Sequence, residues 1–140
     1  MCGRLLGIDV GKVRVGVAMS DSLGITVSPL AVYQTAQGRA ERSILNLISE
    51  YNVKKIVVGM PYSRSGEKTK QCEFVEHFIT RLRRRVEIEI DTYDEYLSSE
   101  EAIELMKERG VTVRDNPVDA FAAMIILEDY IKDNPVKESF

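Results

Sequence analysis

The sequence predicts an α/β domain built on a five-stranded mixed sheet, three antiparallel strands followed by two parallel ones, flanked by helices. Three observations predict it. Apolar residues recur with period two through the first part of the chain, and short turns join those segments. From Ile44 onward, helical spacing alternates with short apolar runs, the pattern of parallel strands joined by right-handed crossovers. The length of 140 residues suits one domain with its own core.

The elements follow in order. Arg4 to Val10, RLLGIDV, is a short apolar run and reads as a buried strand. In VRVGVAMS, Val13, Val15, Val17 and Met19 alternate with Arg14, Gly16 and Ala18, which is a half-buried strand. Gly11-Lys12 between the two suits a tight hairpin. A third strand is expected within Ile25 to Gln34, where Pro29 keeps part of it at an edge because proline cannot donate to a ladder. Ile44, Leu45, Ile48 and Tyr51 share a helical face. KKIVVG, ending at Gly59, is again a strand. Val75, Phe78, Ile79 and Leu82 mark a second helix, and Val86, Ile88 and Ile90 alternate through a fifth strand, Val86 to Tyr93. Ser98 and Glu101 form a capping-box pattern that opens a third helix, closed by Gly110. Asn116 and Pro117 read as N-cap and first residue of a fourth helix. That helix is almost wholly apolar from Ala120 to Leu127, so it should be buried, and Asn134-Pro135 ends it. The chain thus reads as a single domain over 1–140, with 133–140 a polar tail.

Composition is that of ordinary soluble material, 44% hydrophobic and 29% charged. The net charge of -3 means that any contact with nucleic acid must come from a local basic patch. Cys2 and Cys72 are the only cysteines, and without a C-x-x-C pair they fit a reducing compartment. No apolar run approaches the ~18 residues of a membrane span, and the N-terminus lacks a signal peptide's apolar stretch. A cytoplasmic protein without a membrane partner, monomeric or homodimeric, is expected.

The acids carry the chemistry. Asp9 interrupts an apolar strand, and a lone carboxylate is costly to bury. Glu95 follows the fifth strand, and Asp119 lies in the first turn of the last helix. If that helix runs antiparallel to the first strand, all three acids meet at the rim where the parallel strands end. Converging carboxylates repel one another and call for a hard divalent cation with oxygen ligands, Mg²⁺ or Mn²⁺. A pair of such ions suits phosphodiester cleavage. Asp9, Glu95 and Asp119 are therefore the expected catalytic and metal-binding residues. Each alone has an ordinary reading: a turn residue, a solvated loop acid and a helix-start acid favoured by the macrodipole. Asp21, Asp94 and Asp115 are candidates for a place beside those three, and structural or solvated roles are the expected ones.

Basic residues near that rim are the candidate nucleic-acid contacts. Lys12 and Arg14 flank the first hairpin, and Arg64, Lys68 and Lys70 lie in the polar loop MPYSRSGEKTK. Arg39 and Arg42 can join them. The loop is not a P-loop, because Gly59 and Gly66 are too far apart and Glu67 intrudes before Lys68-Thr69. Arg81, Arg83, Arg84 and Arg85 end the second helix, at the opposite end from the acids, where positive charge favours a helix C-terminus. His77 has no ligand partner at useful spacing. Tyr62, Tyr93 and Tyr96 are open either to stacking on bases or to packing.

Four segments resemble one family. LGIDVGKVRVGVAMSD (Leu6 to Asp21), IVVGMP (Ile56 to Pro61), DEYLSSEEA (Asp94 to Ala102) and NPVDAFAAMIIL (Asn116 to Leu127) are similar, in order, to the motifs of the YqgF/RuvX family. Its members are described as Holliday-junction-resolvase-like proteins and pre-16S rRNA nucleases. The resemblance implies a ribonuclease-H-like fold, metal-dependent nuclease chemistry and a part in ribosomal RNA maturation. It also implies that the family's catalytic acids fall on Asp9, Glu95 and Asp119. The chain departs from the family pattern at Val10, where proline is usual, at Tyr96, where arginine is usual, and at Ser98-Ser99, where Thr-Thr is commoner. Tyrosine cannot supply the charge that an arginine offers a phosphate.

The leading expectation is thus a metal-dependent endo- or exonuclease acting on structured RNA, or on DNA. The alternatives are a nucleic-acid-binding factor without catalysis and a Holliday-junction resolvase, although resolvases of this fold generally use four acids. Sugar kinases and Hsp70-like ATPases share a G-I-D-x-G opening, but they close two such domains around a nucleotide and 140 residues supply one.

Overall fold

The computed structural model describes residues 3–135. The expected β-β-β-α-β-α-β-α-α order is present: β1 (Arg4–Val10), β2 (Arg14–Ser20), β3 (Val27–Gln34), α1 (Arg39–Tyr51), β4 (Val53–Gly59), α2 (Lys70–Arg83), β5 (Glu89–Tyr93), α3 (Ser99–Glu108) and α4 (Val118–Asp133). The five strands form one sheet in the order β3-β2-β1-β4-β5. Strand β1 is central, antiparallel to β2 and parallel to β4, and β5 adds in parallel to β4.

Several boundaries differ from those expected, each for a local reason. Strand β3 begins at Val27 rather than near Ile25, because the Asp21 carboxylate takes the Ile25 amide at 2.8 Å and the Thr26 amide at 3.3 Å. Pro29 lies on the edge strand at a register shift opposite Val17 and Ala18, where no ladder donor is needed. Strand β5 is shorter than Val86 to Tyr93, since pairing with β4 starts only at Lys55 and Glu89. Val86 and Ile88 still pack against the core on the way from α2 to the sheet. Helix α4 begins at Val118 with Pro117 in the N-cap position and no side-chain cap, so Asn116 is not the cap. The polar tail expected at 133–140 starts later than that, because Asp133 is still in α4 and Asn134 is its C-cap, and 136–140 lies outside the described residues. The capping box of α3 is made in full, with Ser98 and Glu101 each bonding the other's backbone amide.

Strand parity sorts the sheet into two faces. Leu6, Ile8, Val10, Val15, Val17, Ile56 and Val58 point to one side and form a core with Ile44, Leu47, Val75, Phe78 and Leu82 of α1 and α2. Full burial of side chains of this size stabilises by about 1.5–3 kcal/mol each. The alternate residues Gly7, Asp9, Gly16, Ala18, Val57 and Gly59 face α4, which α3 covers from outside through Ala102 and Met106.

Three of those six positions are glycine, and α4 lies on them. A Cβ on Gly16 would stand 2.0 Å from the Asp119 carbonyl oxygen, and one on Gly7 would stand 2.8 Å from that of Ala123. A Cβ on Gly59 would meet the Ile126 side chain at 2.6 Å and the Glu95 carbonyl at 2.7 Å. These approaches press the first turn of α4 onto β2 beside the end of β1. Gly16→Ala is therefore expected to lower folding stability by at least about 2 kcal/mol, the scale of overpacking against rigid backbone. Chemical denaturation of the two proteins measures the difference, and an unchanged midpoint would show that α4 does not seat on Gly16.

Candidate functional site

Asp9 stands near the end of β1, directly across the ladder from Gly16. Its position on the α4 face follows from parity, and the missing Cβ of Gly16 lets Asp119 approach from above. Asp9 is 8% exposed. Burial, and secondarily the charge of Asp119, pushes its carboxyl up to about 7 from an ordinary value of 3.8. Asp119 is bound on its outer side by Arg14, whose Nε donates to Oδ2 at 2.8 Å. Arg14 is an exposed residue, and the pair raises its already high pKa through that bond and the carboxylate charge.

Of the three expected acids, the structure brings two together. Asp9 and Asp119 are neighbours, whereas the Glu95 carboxyl turns toward α4 and faces Asp129 and Asp133. Among the described residues no three acidic, histidine or cysteine side chains are grouped to hold one ion. The backbone explains the turn. The Glu95 amide donates to the Tyr93 carbonyl at 2.8 Å, as does the Met60 amide at 2.8 Å, and the Glu95 carbonyl sits over Gly59. The side chain is thereby directed along α4. Burial, a hydrogen bond with Asp129 and the charges of Asp129 and Asp133 raise Glu95 to about 8. One of its oxygens, Oε1, is buried without a partner. Asp133 in turn accepts from the Tyr93 hydroxyl. No feature of the sequence indicated that Asp129 and Asp133 would meet Glu95, since the contact depends on where α4 ends over β5.

A cavity of about 750 Å³ is lined by Met60 and Tyr62 of the loop after β4, by the cations Lys12, Arg64 and Lys70, by Tyr96 and, of the three expected acids, by Glu95. The loop is folded on itself. Ser63 bonds Glu67 through backbone and side chain, Gly66 turns it at φ +83°, and Thr69 caps α2 while donating to the Pro61 carbonyl at 2.9 Å. Two of the five expected basic contacts are engaged elsewhere: Arg14 with Asp119, and Lys68 with Glu76 at 3.1 Å. Asp21 and Asp115 hold loop geometry, the latter accepting from the Thr112 hydroxyl at 2.8 Å. Arg81 pairs with buried Glu41 at 3.0 Å, which gives part of the arginine cluster a structural use. His77 is exposed on α2.

A family model described as "RuvX: Holliday junction resolvase" matches residues 3–133. The chain belongs to the RuvX family. Relatives named "Putative pre-16S rRNA nuclease" include one from Syntrophus aciditrophicus, 37% identical over 91% of this chain and 87% of its own length. Another, from Lachnospira eligens, is 38% identical over 92% and 96%. Among solved structures, T. thermophilus RuvC in complex with a Holliday junction substrate aligns with a TM-score of 0.61 at 14% identity, covering 95% of this chain and 96% of RuvC. The fowlpox virus resolvase aligns at 0.56 with 13% identity, covering 95% and 99%. These neighbours share the ribonuclease-H-like fold, as the sequence motifs imply. No described helix is long and apolar enough to cross a membrane.

In this RuvX-family chain the Asp9 carboxyl works against folding. Its folded pKa, about 7, lies above the unfolded 3.8. The folded state therefore binds this proton more tightly, and stability falls as pH rises from about 4 to about 7. Across that window the loss is on the order of 4 kcal/mol. Asp9→Asn, which removes the charge, should match wild type near pH 4 and exceed it in stability at pH 8. Glu95 titrates in both proteins and cancels from the difference. Denaturation midpoints at the two pH values check this, and an equal gap at both would exclude a buried, ionisable Asp9 as its source.

Proposed function

We propose that this chain is a hydrolytic nuclease acting on structured nucleic acid, with precursor 16S ribosomal RNA as its substrate. One observation carries the reading: a buried carboxyl, Asp9, lies within electrostatic reach of a second, Asp119, and both act on Tyr96, which lines a cavity together with Lys12, Arg64 and Lys70. A phosphodiester could lay its charge along the three cations while the acids face the scissile phosphate. The names of the relatives supply the substrate, and the family supplies the reaction class.

The acids fit a divalent cation. Two carboxyl side chains lie within electrostatic reach of each other, and burial penalises the charge of Asp9, which is a donor set suited to Mg²⁺ or Mn²⁺. Asp9 and Asp119 would hold it, with Glu95 joining after its side chain swings away from Asp129, where its unpartnered Oε1 leaves one oxygen uncommitted. When bound, such a cation supplies charge neutralisation at the phosphate and makes water more acidic. Lys12, Arg64 and Lys70 position the backbone. Water attacks phosphorus, the bond to the leaving oxygen breaks, and no covalent enzyme intermediate forms.

The outward Glu95 carboxyl also fits a factor that binds nucleic acid without cutting it, and one experiment separates the two. Precursor ribosomal RNA, generic single and double strands and four-way junctions are each incubated with Mg²⁺ and with Mn²⁺. Cleavage is expected for precursor RNA, with Asp9→Asn reducing it by at least about a thousandfold, the scale of losing a principal charge-stabilising group. Binding without cleavage under either metal would favour the second reading, and an Asp9→Asn protein as active as wild type would remove the mechanism.

A further inference from the structure

Tyr96 stands at the mouth of the cavity, 36% exposed. The next residue, Leu97, packs with α3 and α4, while the Tyr96 ring joins neither hydrophobic cluster there. It is nonetheless held in place. Its hydroxyl accepts from Gln71 Nε2 at 3.0 Å, and Gln71 belongs to the first turn of α2, which Thr69 ties to Pro61. The ring therefore bridges the loop after β5 and the start of α2, anchored at both ends. Asp9 and Asp119 lie close enough for their charges to act on it.

Lys12, Arg64 and Lys70, on the same walls, form no ion pair among the described residues. The mouth thus offers a flat aromatic surface with its position already fixed, next to unpaired positive charge and within electrostatic reach of two acids. An aromatic face held this way loses little freedom on stacking. Only a nucleotide that is not base-paired can place a base against it, while the adjoining phosphates meet the cations.

We propose that Tyr96 is a stacking platform for an unpaired base beside the phosphate at the acids, so that this site takes single-stranded segments flanking a helix in preference to continuous duplex. The inference rests on the nucleic-acid reading of the site and narrows its substrate class. Tyr96 acts as a specificity residue, and Gln71 as the group that orients it.

The chain contains no tryptophan, so a Tyr96→Trp protein carries a single indole emitter. With EDTA present to prevent cleavage, its emission should be quenched by an RNA hairpin bearing a single-stranded overhang and left unchanged by a blunt RNA duplex. In fluorescence anisotropy, Tyr96→Ala should bind the overhang RNA about tenfold more weakly than wild type, the scale of one lost base stack. Its affinity for the blunt duplex should not change. Tyr96→Phe, which keeps the ring and loses the Gln71 bond, should stay within about twofold of wild type on the overhang. Equal quenching by both RNAs, quenching by neither although both bind, or equal loss on both with Tyr96→Ala would overturn the proposal and leave the nuclease reading standing. If neither RNA binds wild type, the reading beneath it falls as well. Should Tyr96→Trp fail to fold, the alanine and phenylalanine proteins decide the matter alone.

Discussion

The seating of α4 on a glycine-floored sheet is the contact on which the rest of this structure depends. Gly7, Gly16 and Gly59 come from three strands, share one face by parity, and leave no side chain under the helix. The helix backbone can then descend to within contact of the strand backbone. That descent fixes the height of Asp119 over Asp9 and buries the apolar run from Ala120 to Leu127 between the sheet and α3. The same helix ends over β5, where its acids meet Glu95 and Tyr93. One packing surface therefore sets the positions of most of the carboxyls in the neighbourhood, and a shift of α4 would move them together.

Electrostatics at the rim is uneven. Asp9 has the deeper burial and the raised pKa, while Asp119 keeps one side in contact with the guanidinium of Arg14. An exposed ion pair of this kind contributes little to stability. Its consequence is geometric, since it holds half-buried Asp119 in place near buried Asp9. Burial, a hydrogen bond with Asp129 and the charges of Asp129 and Asp133 favour the protonated form of Glu95 at one end of α4, while at the other Arg14 pairs with the Asp119 carboxylate beside buried Asp9.

Much of the fold was legible because its signals are local. The alternation in VRVGVAMS, the Ser98–Glu101 capping box and the apolar run of α4 each depend on a few neighbouring residues, and each marks a real element. Topology led to the expectation that Asp9, Glu95 and Asp119 meet at one rim; Asp9 and Asp119 are neighbours, while the Glu95 carboxyl faces Asp129 and Asp133. What local patterns could not carry was side-chain direction. The turn at Tyr93 that aims Glu95 toward Asp129, the engagement of Lys68 by Glu76, and the Gln71 bond to Tyr96 all join residues from different elements. The boundary errors have the same origin. Asp21 capturing the Ile25 and Thr26 amides delays β3, and the reach of β4 decides where β5 begins.

The central place of β1 has a consequence for synthesis. Its partners are β2 on one side and β4 on the other, and the Arg14–Asp119 contact spans 105 residues of chain. As the polypeptide leaves the ribosome, β1 can pair with β2 almost at once, but its second edge waits for β4 and its polar face waits for α4. Contacts of such long sequence separation form late. The acidic rim is consequently among the last parts to assemble, so a nascent chain lacking its final helix carries Asp9 without Asp119 as its neighbour.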